Sequence, residues 1–288
     1  MNRQDDAVDV LLPTHCRPHT LGCAIRAVLR QTHPRFTLHV VGDGCDDATA
    51  AVVAGFDDHR LLFYRLPKAP GFGYANRNRV FRQSTAPFIA YAADDDLWFP
   101  DHLACGLAAL MRDGGDLTVS REAHVHPPDR VDPHFFAVDW RLGRPSAMLR
   151  DWFTGPGQVM HRRRVFDTVG YWNESLSRFG DREFLARARA RVPYARREEV
   201  TTLRFYAAWW DGEYVRCAEP PQVRYLERLA DPTWCEALRA AARPGPRGLA
   251  VRRRQAADFL GFARRSGPKL LRFWYEPARS HDRARSPS

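Results

Sequence analysis

The sequence predicts an α/β protein built on a mostly parallel sheet flanked by helices, and three observations carry that expectation. Apolar runs alternate with stretches whose apolar residues recur at helical spacing through the first hundred residues. The polar and acidic clusters fall just beyond those runs, where ligands sit in parallel sheets. At 288 residues and 44% hydrophobic, the chain is long enough to bury a full core.

DVLLP (9–13) reads as the first strand and ends at Pro13, followed by the loop residues Thr14, His15 and Arg17. TLGCAIRAVLRQ (20–31) is a helix with Leu21, Ala24, Ile25, Val28 and Leu29 on one face. FTLHVVGDG (36–44) is a second strand closing on Asp43, and DDATAAVVAGF (46–56) a helix with an acidic first turn, as the helix dipole favours. LLFYRL (61–66) is the third strand, GYANRNRVFRQS (73–84) the next helix, and APFIAYA (86–92) the fourth strand, leading directly into Asp94, Asp95 and Asp96.

Three adjacent carboxylates repel one another, and burying them costs several kcal/mol without a cation or strong donors. They either form a solvated turn before the helix that Pro100 opens, or hold a divalent metal through oxygen. Their place at a strand end favours the metal.

Composition excludes several classes. No run of eighteen apolar residues is present, and MNRQDDAVDV carries acids where a secretory leader needs basic and then apolar residues, so the expectation is a cytoplasmic protein. Cys16, Cys23, Cys45, Cys105, Cys217 and Cys235 are scattered without a CxxC pair, which argues against zinc and a disulfide framework. The net charge of +10 is concentrated after residue 242, where twelve basic residues face three acids; the nearly neutral body argues against nucleic acid as the main partner.

Four stretches in order resemble the inverting family 2 glycosyltransferases with the GT-A fold, whose sheet is Rossmann-like: PTHCRP (13–18) with LRQTHP (29–34), VVGDGCDDAT (40–49), YAADDDLWFPDHL (91–103), and VFDTVGYWNESLSRFGDREFLARA (165–188). The resemblance implies a nucleotide-diphosphate sugar donor, UDP- or dTDP-linked, and a Mn²⁺ or Mg²⁺ ion. It assigns donor binding to Pro13, Thr14, His15, Arg17, Asp43, Arg77, Asn78, Asp94 and Asp95, and the metal to Asp95 or Asp96. Asp43 would accept the imide N–H of the base; where the family often carries a second acid before it, this chain has Gly42. Asp181 would be the general base, with Glu183 its nearby rival. GPGQVMHRRRVF (155–166) would form a shelf between donor and acceptor.

The expected division is a transferase domain over 1–242, with its nucleotide-sugar half at 1–100 and acceptor side at 101–242, and a basic helical extension at 243–288. The motifs fade after about residue 190, and the QxxRW signature of processive synthases is absent, so one sugar per encounter is expected, delivered to a sugar, lipid-linked or small-molecule acceptor. VRRRQAADFLGFARR (251–265) reads as a basic amphipathic helix, either packed on the domain or resting peripherally on anionic membrane. The rival function is a nucleic-acid- or anionic-lipid-binding module acting through that extension.

Overall fold

The structure is a computed structural model that describes residues 6–112, 114–126, 129–133, 155–205 and 219–243. The first half follows the order expected. Strand β1 (Val8–Thr14) leads to helix α1 (Pro18–Leu29), β2 (Phe36–Asp43) to α2 (Asp47–Ala54), β3 (Leu61–Leu66) to α3 (Tyr74–Gln83), and β4 (Phe88–Tyr91) closes the series. Pro18 starts α1, where a missing N–H costs nothing, and the Asp46 side chain caps α2 by accepting from the Thr49 N–H at 2.9 Å.

The second half comprises β5 (Leu97–Trp98), α4 (His102–Arg112), β6 (Leu117–His126), β7 (Arg130–Asp132), β8 (Val159–Arg162), α5 (Arg164–Val169), α6 (Gly180–Arg189), β9 (Tyr194–Phe205), α7 (Gln222–Arg228) and α8 (Pro232–Ala242). One sheet runs through both halves in the order β3-β2-β1-β4-β8-β6-β9-β5, with β7 on the side of β6. β1 to β4 pair in parallel, β8 lies antiparallel between β4 and β6, and β6 and β9 run parallel across an irregularity at Arg121. The parallel half places the ends of β1, β2 and β4 side by side, Thr14 registering with Gly42.

Alternation along β1 distributes the core. Val8, Val10 and Leu12 pack with α1 and α4, whereas Leu11 faces the opposite layer with Tyr74, Phe81, Tyr91, Trp172 and Phe184. A third cluster holds α7 and α8 against β5 and β9 through Leu97, Phe99, Leu203, Tyr225 and Leu226.

Asp9 interrupts the apolar run of β1 and is buried. It accepts from His39 Nε2 at 2.9 Å, from Arg163 Nη2 at 2.7 Å and from the Ala86 N–H at 2.9 Å. Burial alone would raise its pKa, but the hydrogen bonds from His39 and Ala86 outweigh it and hold the carboxyl below its ordinary value. A depressed folded-state pKa contributes stability that is complete above about pH 4 and is lost as pH falls through the folded value. Asp9→Ala, which leaves Arg163 without its carboxylate, is expected to lower unfolding free energy by about 3–5 kcal/mol in urea titration, and Asp9→Asn to flatten the loss of stability below about pH 4.

Candidate active site

The candidate site lies at the carboxyl end of the parallel strands, where three strand ends are neighbours. Thr14 is buried at the close of β1, and the chain then turns through Cys16, whose φ of 49° is left-handed. Exposed His15 lies with Nδ1 2.7 Å from the Asp43 carbonyl oxygen, so a ring N–H donates there and the two loops are tied together. Pro13 registers with Val41 inside the sheet, which fixes the direction in which this loop leaves.

Asp43 is 6% exposed and held by its own chain on both oxygens. Oδ1 accepts from the Ala69 N–H at 2.8 Å and from Asn76 Nδ2 at 2.7 Å, and Oδ2 from Lys68 Nζ at 2.5 Å. Burial pushes its pKa up, but the Ala69 N–H, Lys68 and Asn76 together bring it below the ordinary value, so the group is an acceptor-only carboxylate. Gly73, just before α3, comes this close to the carboxylate only because it lacks a side chain: φ is +72°, and a methyl there would lie 2.5 Å from the Asp43 carboxylate. Gly73→Ala is therefore expected to displace the Asp43 carboxylate and lower the melting temperature, measured by thermal denaturation followed by circular dichroism.

Asp94, Asp95 and Asp96 follow β4. Asp94 and Asp95 are each 7% exposed, and a single nitrogen of Arg17, Nη1, donates to Asp94 Oδ1 and Asp95 Oδ2, both at 2.9 Å. Gln222 on α7 donates from Nε2 to the Asp95 carbonyl oxygen at 2.9 Å, and the Phe205 N–H donates to Asp96 Oδ1 at 3.1 Å. Burial raises the Asp94 pKa to about 6 despite Arg17, with Asp95 adding to the rise. Asp96 is raised well above its ordinary value by burial and by Asp95, against the pull of Arg204. The triplet is thus a cluster of carboxyls whose ionisation burial opposes and nearby arginines favour, Arg17 at Asp94 and Asp95 and Arg204 at Asp96.

The site's residues fit a hard divalent cation. The donor set is oxygen only, three carboxylates stand on consecutive positions, and their combined charge exceeds what Arg17 neutralises. No group of three or more His, Cys, Asp or Glu side chains is already gathered into a ligand cage among the described residues, so substrate oxygens and water would complete any shell. Gly157 borders the triplet: a methyl there would lie 3.9 Å from Asp96 Oδ2, and its carbonyl accepts from Trp98 Nε1 at 2.9 Å and Thr202 Oγ1 at 3.1 Å.

Asp181 stands in the first turn of α6, partly buried, and no hydrogen bond or ion pair engages its carboxylate among the described residues. It is near Tyr74, whose hydroxyl accepts from the Gly180 N–H at 2.8 Å and whose pKa rises to about 12 through burial and then the Asp181 charge. Arg77 links the three acidic positions. Its guanidinium lies 5.0 Å from the ring centroids of both Tyr74 and Trp172, donates to the Phe72 carbonyl at 2.9 Å, and feels the charges of Asp181, Asp43 and Asp94.

The sequence model of the family described as Glycosyl transferase family 2 matches residues 9–170, more than half of the chain. The chain belongs to that family. Among curated relatives it is 29% identical over 108 residues to UDP-Glc:alpha-D-GlcNAc-diphosphoundecaprenol beta-1,3-glucosyltransferase WfgD of Escherichia coli, covering 38% of this chain and 42% of WfgD. It is 24% identical over 216 residues to Protein CgeD of Bacillus subtilis, covering 68% of this chain and 49% of CgeD. The chain thus spans less than half the length of either relative. Among solved structures, S. aureus TarS 1–349 in complex with UDP-GlcNAc aligns at a TM-score of 0.57 and 16% identity over 82% of this chain and 71% of that one. Mannosyltransferase PcManGT of Pyrobaculum calidifontis, with GDP-Man and Mn²⁺, aligns at 0.54 and 17% over 93% and 82%. These likenesses establish the GT-A fold.

Within this family 2 chain the structure brings together Thr14, His15, Arg17, Asp43, Arg77 and the triplet, but not every residue stands where the resemblance implies. Asn78 is fully buried, donating to the Trp172 carbonyl and Glu174 Oε1, each at 2.8 Å, and accepting from the Trp172 N–H at 3.1 Å. Its amide latches α3 to the loop before α6 and has no face for a donor. Consecutive helix residues point about 100° apart, which is why Arg77 and Asn78 part company. Gly42 is explained by space, since a methyl there would lie 3.1 Å from both Phe63 and Cys45 Sγ. Glu183 is paired with Arg187 at 2.7 Å, one helical turn away, which leaves Asp181 as the unengaged carboxylate. Sequence reasoning missed Lys68, Tyr74, Asn76 and Gln222; only Tyr74 and Asn76 carried a signal, lying in the GYANRN stretch that was already singled out.

Proposed function

We propose that the chain transfers a single sugar, with inversion, from a nucleoside diphosphate donor to an acceptor hydroxyl. The observation that carries the reading is the grouping of Asp43, the acidic triplet and unengaged Asp181 around Arg77 on a GT-A sheet. Asp43, with three acceptor positions filled by its own chain, keeps one for the imide N–H of uracil, and UDP is accordingly the favoured nucleotide. UDP-GlcNAc stands in the TarS structure and UDP-Glc in the name of WfgD, which supports that choice.

Asp95 and Asp96 would hold Mn²⁺ or Mg²⁺, whose charge stabilises a departing diphosphate. Arg77, fixed over two rings, orients the diphosphate side of the donor. Asp181 takes the proton of the acceptor hydroxyl as its oxygen attacks the anomeric carbon from the face opposite the nucleotide, which inverts the configuration there. Trp98 and Thr202 fix the Gly157 carbonyl beside the triplet, where the 155–166 stretch would form the shelf. The basic extension from 244 onward lies outside the described residues.

The test is release of nucleotide from UDP-glucose, UDP-GlcNAc and GDP-mannose, each with and without Mn²⁺. Release of UDP from one donor, dependent on Mn²⁺ and stimulated by an acceptor alcohol, is the expected result; no release from any donor would count against a transferase. Removing residues 243–288 is expected to leave UDP binding within about threefold, whereas a binding module acting through the extension would lose its ligand.

A further inference from the structure

We propose that Arg17 is the resident counter-cation of the acidic triplet, a positioning residue that a divalent cation displaces from Asp94 and Asp95 and that then turns onto the donor's diphosphate. The inference deepens the donor-site reading above and rests on it.

The geometry is specific. One nitrogen is shared between oxygens of two adjacent, 7%-exposed carboxylates, 2.9 Å from each, the position an oxygen-ligated cation would take. A divalent cation held by Asp95 would compete with Arg17 for the same carboxylate oxygens and be repelled by its charge. Keeping two adjacent buried carboxylates ionised is costly without a cation, and the chain supplies one of its own. Arg17 is also placed to leave. It precedes α1 as the N-cap, its side chain makes no capping bond, its backbone is outside the helix at φ −128° and ψ 56°, and its side chain is 26% exposed. A planar guanidinium that bridges two carboxylates is equally suited to two phosphate oxygens.

Metal and nucleotide must then bind cooperatively. Metal alone has to evict Arg17 from both carboxylates; nucleotide provides a receiving anion and so raises metal affinity, and metal raises nucleotide affinity by the same factor.

The experiment is titration of Mn²⁺, followed by electron paramagnetic resonance of the free ion, into wild type, Arg17→Gln and Arg17→Lys, each with and without UDP. Circular dichroism confirms that each variant is folded. The expected result is that UDP tightens Mn²⁺ binding to wild type about tenfold or more, that Arg17→Gln binds Mn²⁺ alone about tenfold tighter than wild type, and that UDP then adds less than about threefold. Arg17→Lys, whose compact ammonium bridges less well, is expected in between and keeps the test alive if Arg17→Gln does not fold. If wild type binds Mn²⁺ with UDP but neither variant binds Mn²⁺ alone more tightly, the displacement is overturned and the donor site stands. If wild type binds no Mn²⁺ even with UDP, the metal reading of the donor site fails and the inference falls with it.

Discussion

Asp181→Asn is expected to lower sugar transfer by about 10²–10⁴-fold while leaving UDP affinity within about threefold. The amide matches the carboxylate in size but cannot take a proton, and Asp181 has no hydrogen bond or ion pair among the described residues for the substitution to break. Loss of rate with binding retained separates a base from a helix-capping acid, whose replacement would lower stability instead. Glu183→Gln is the matched control, two residues further along the same helix. It loses only the part-exposed pair with Arg187, worth about 0.3–0.5 kcal/mol, and should transfer sugar at close to the wild-type rate. Equal loss in both variants would contradict the assignment.

Arg77→Ala is expected to weaken donor binding by about 2–5 kcal/mol, roughly 30- to 5,000-fold, measured by calorimetric titration with UDP-sugar. The arginine lies over Tyr74 and Trp172, feels Asp181, Asp43 and Asp94, and donates to the Phe72 carbonyl, so truncation removes a cation from the centre of three acidic positions. Arg77→Lys should recover only part of the loss, because an ammonium keeps the charge but not the planar stacking over two rings. Full recovery by lysine would show that charge alone matters there.

The parallel half of the fold was legible because each of its elements has a simple period. LLFYRL is strand β3 residue for residue, and Leu21, Ala24, Ile25 and Val28 are the buried face of α1 as their spacing requires. The second half was not. β5 is two residues long, and β6 and β9 pair across an irregularity without a clean alternation, because Glu122 and Arg204 pair with each other beside Asp96 and Phe205 packs on Tyr225 of α7. In the site, residue types at strand ends revealed the carboxylates but not their partners. That Lys68 and Asn76 would close on Asp43, that Arg17 would bridge two aspartates, and that Asn78 would be consumed by Trp172 and Glu174 all depend on contacts 25 to 96 residues apart in the chain. Glu183 is the exception, since an arginine four residues later announced its ion pair.

The most direct measurement is the thermal shift produced by UDP, with and without Mn²⁺, in wild type and in Asp95→Ala/Asp96→Ala. A ligand that binds only the folded state raises its melting temperature, so the expected result is a shift with UDP that grows with Mn²⁺ in wild type and does not respond to Mn²⁺ in the double variant. A wild-type protein that gains no stability from UDP under either condition would contradict a nucleotide-diphosphate site and return the three aspartates to a charged turn held by Arg17.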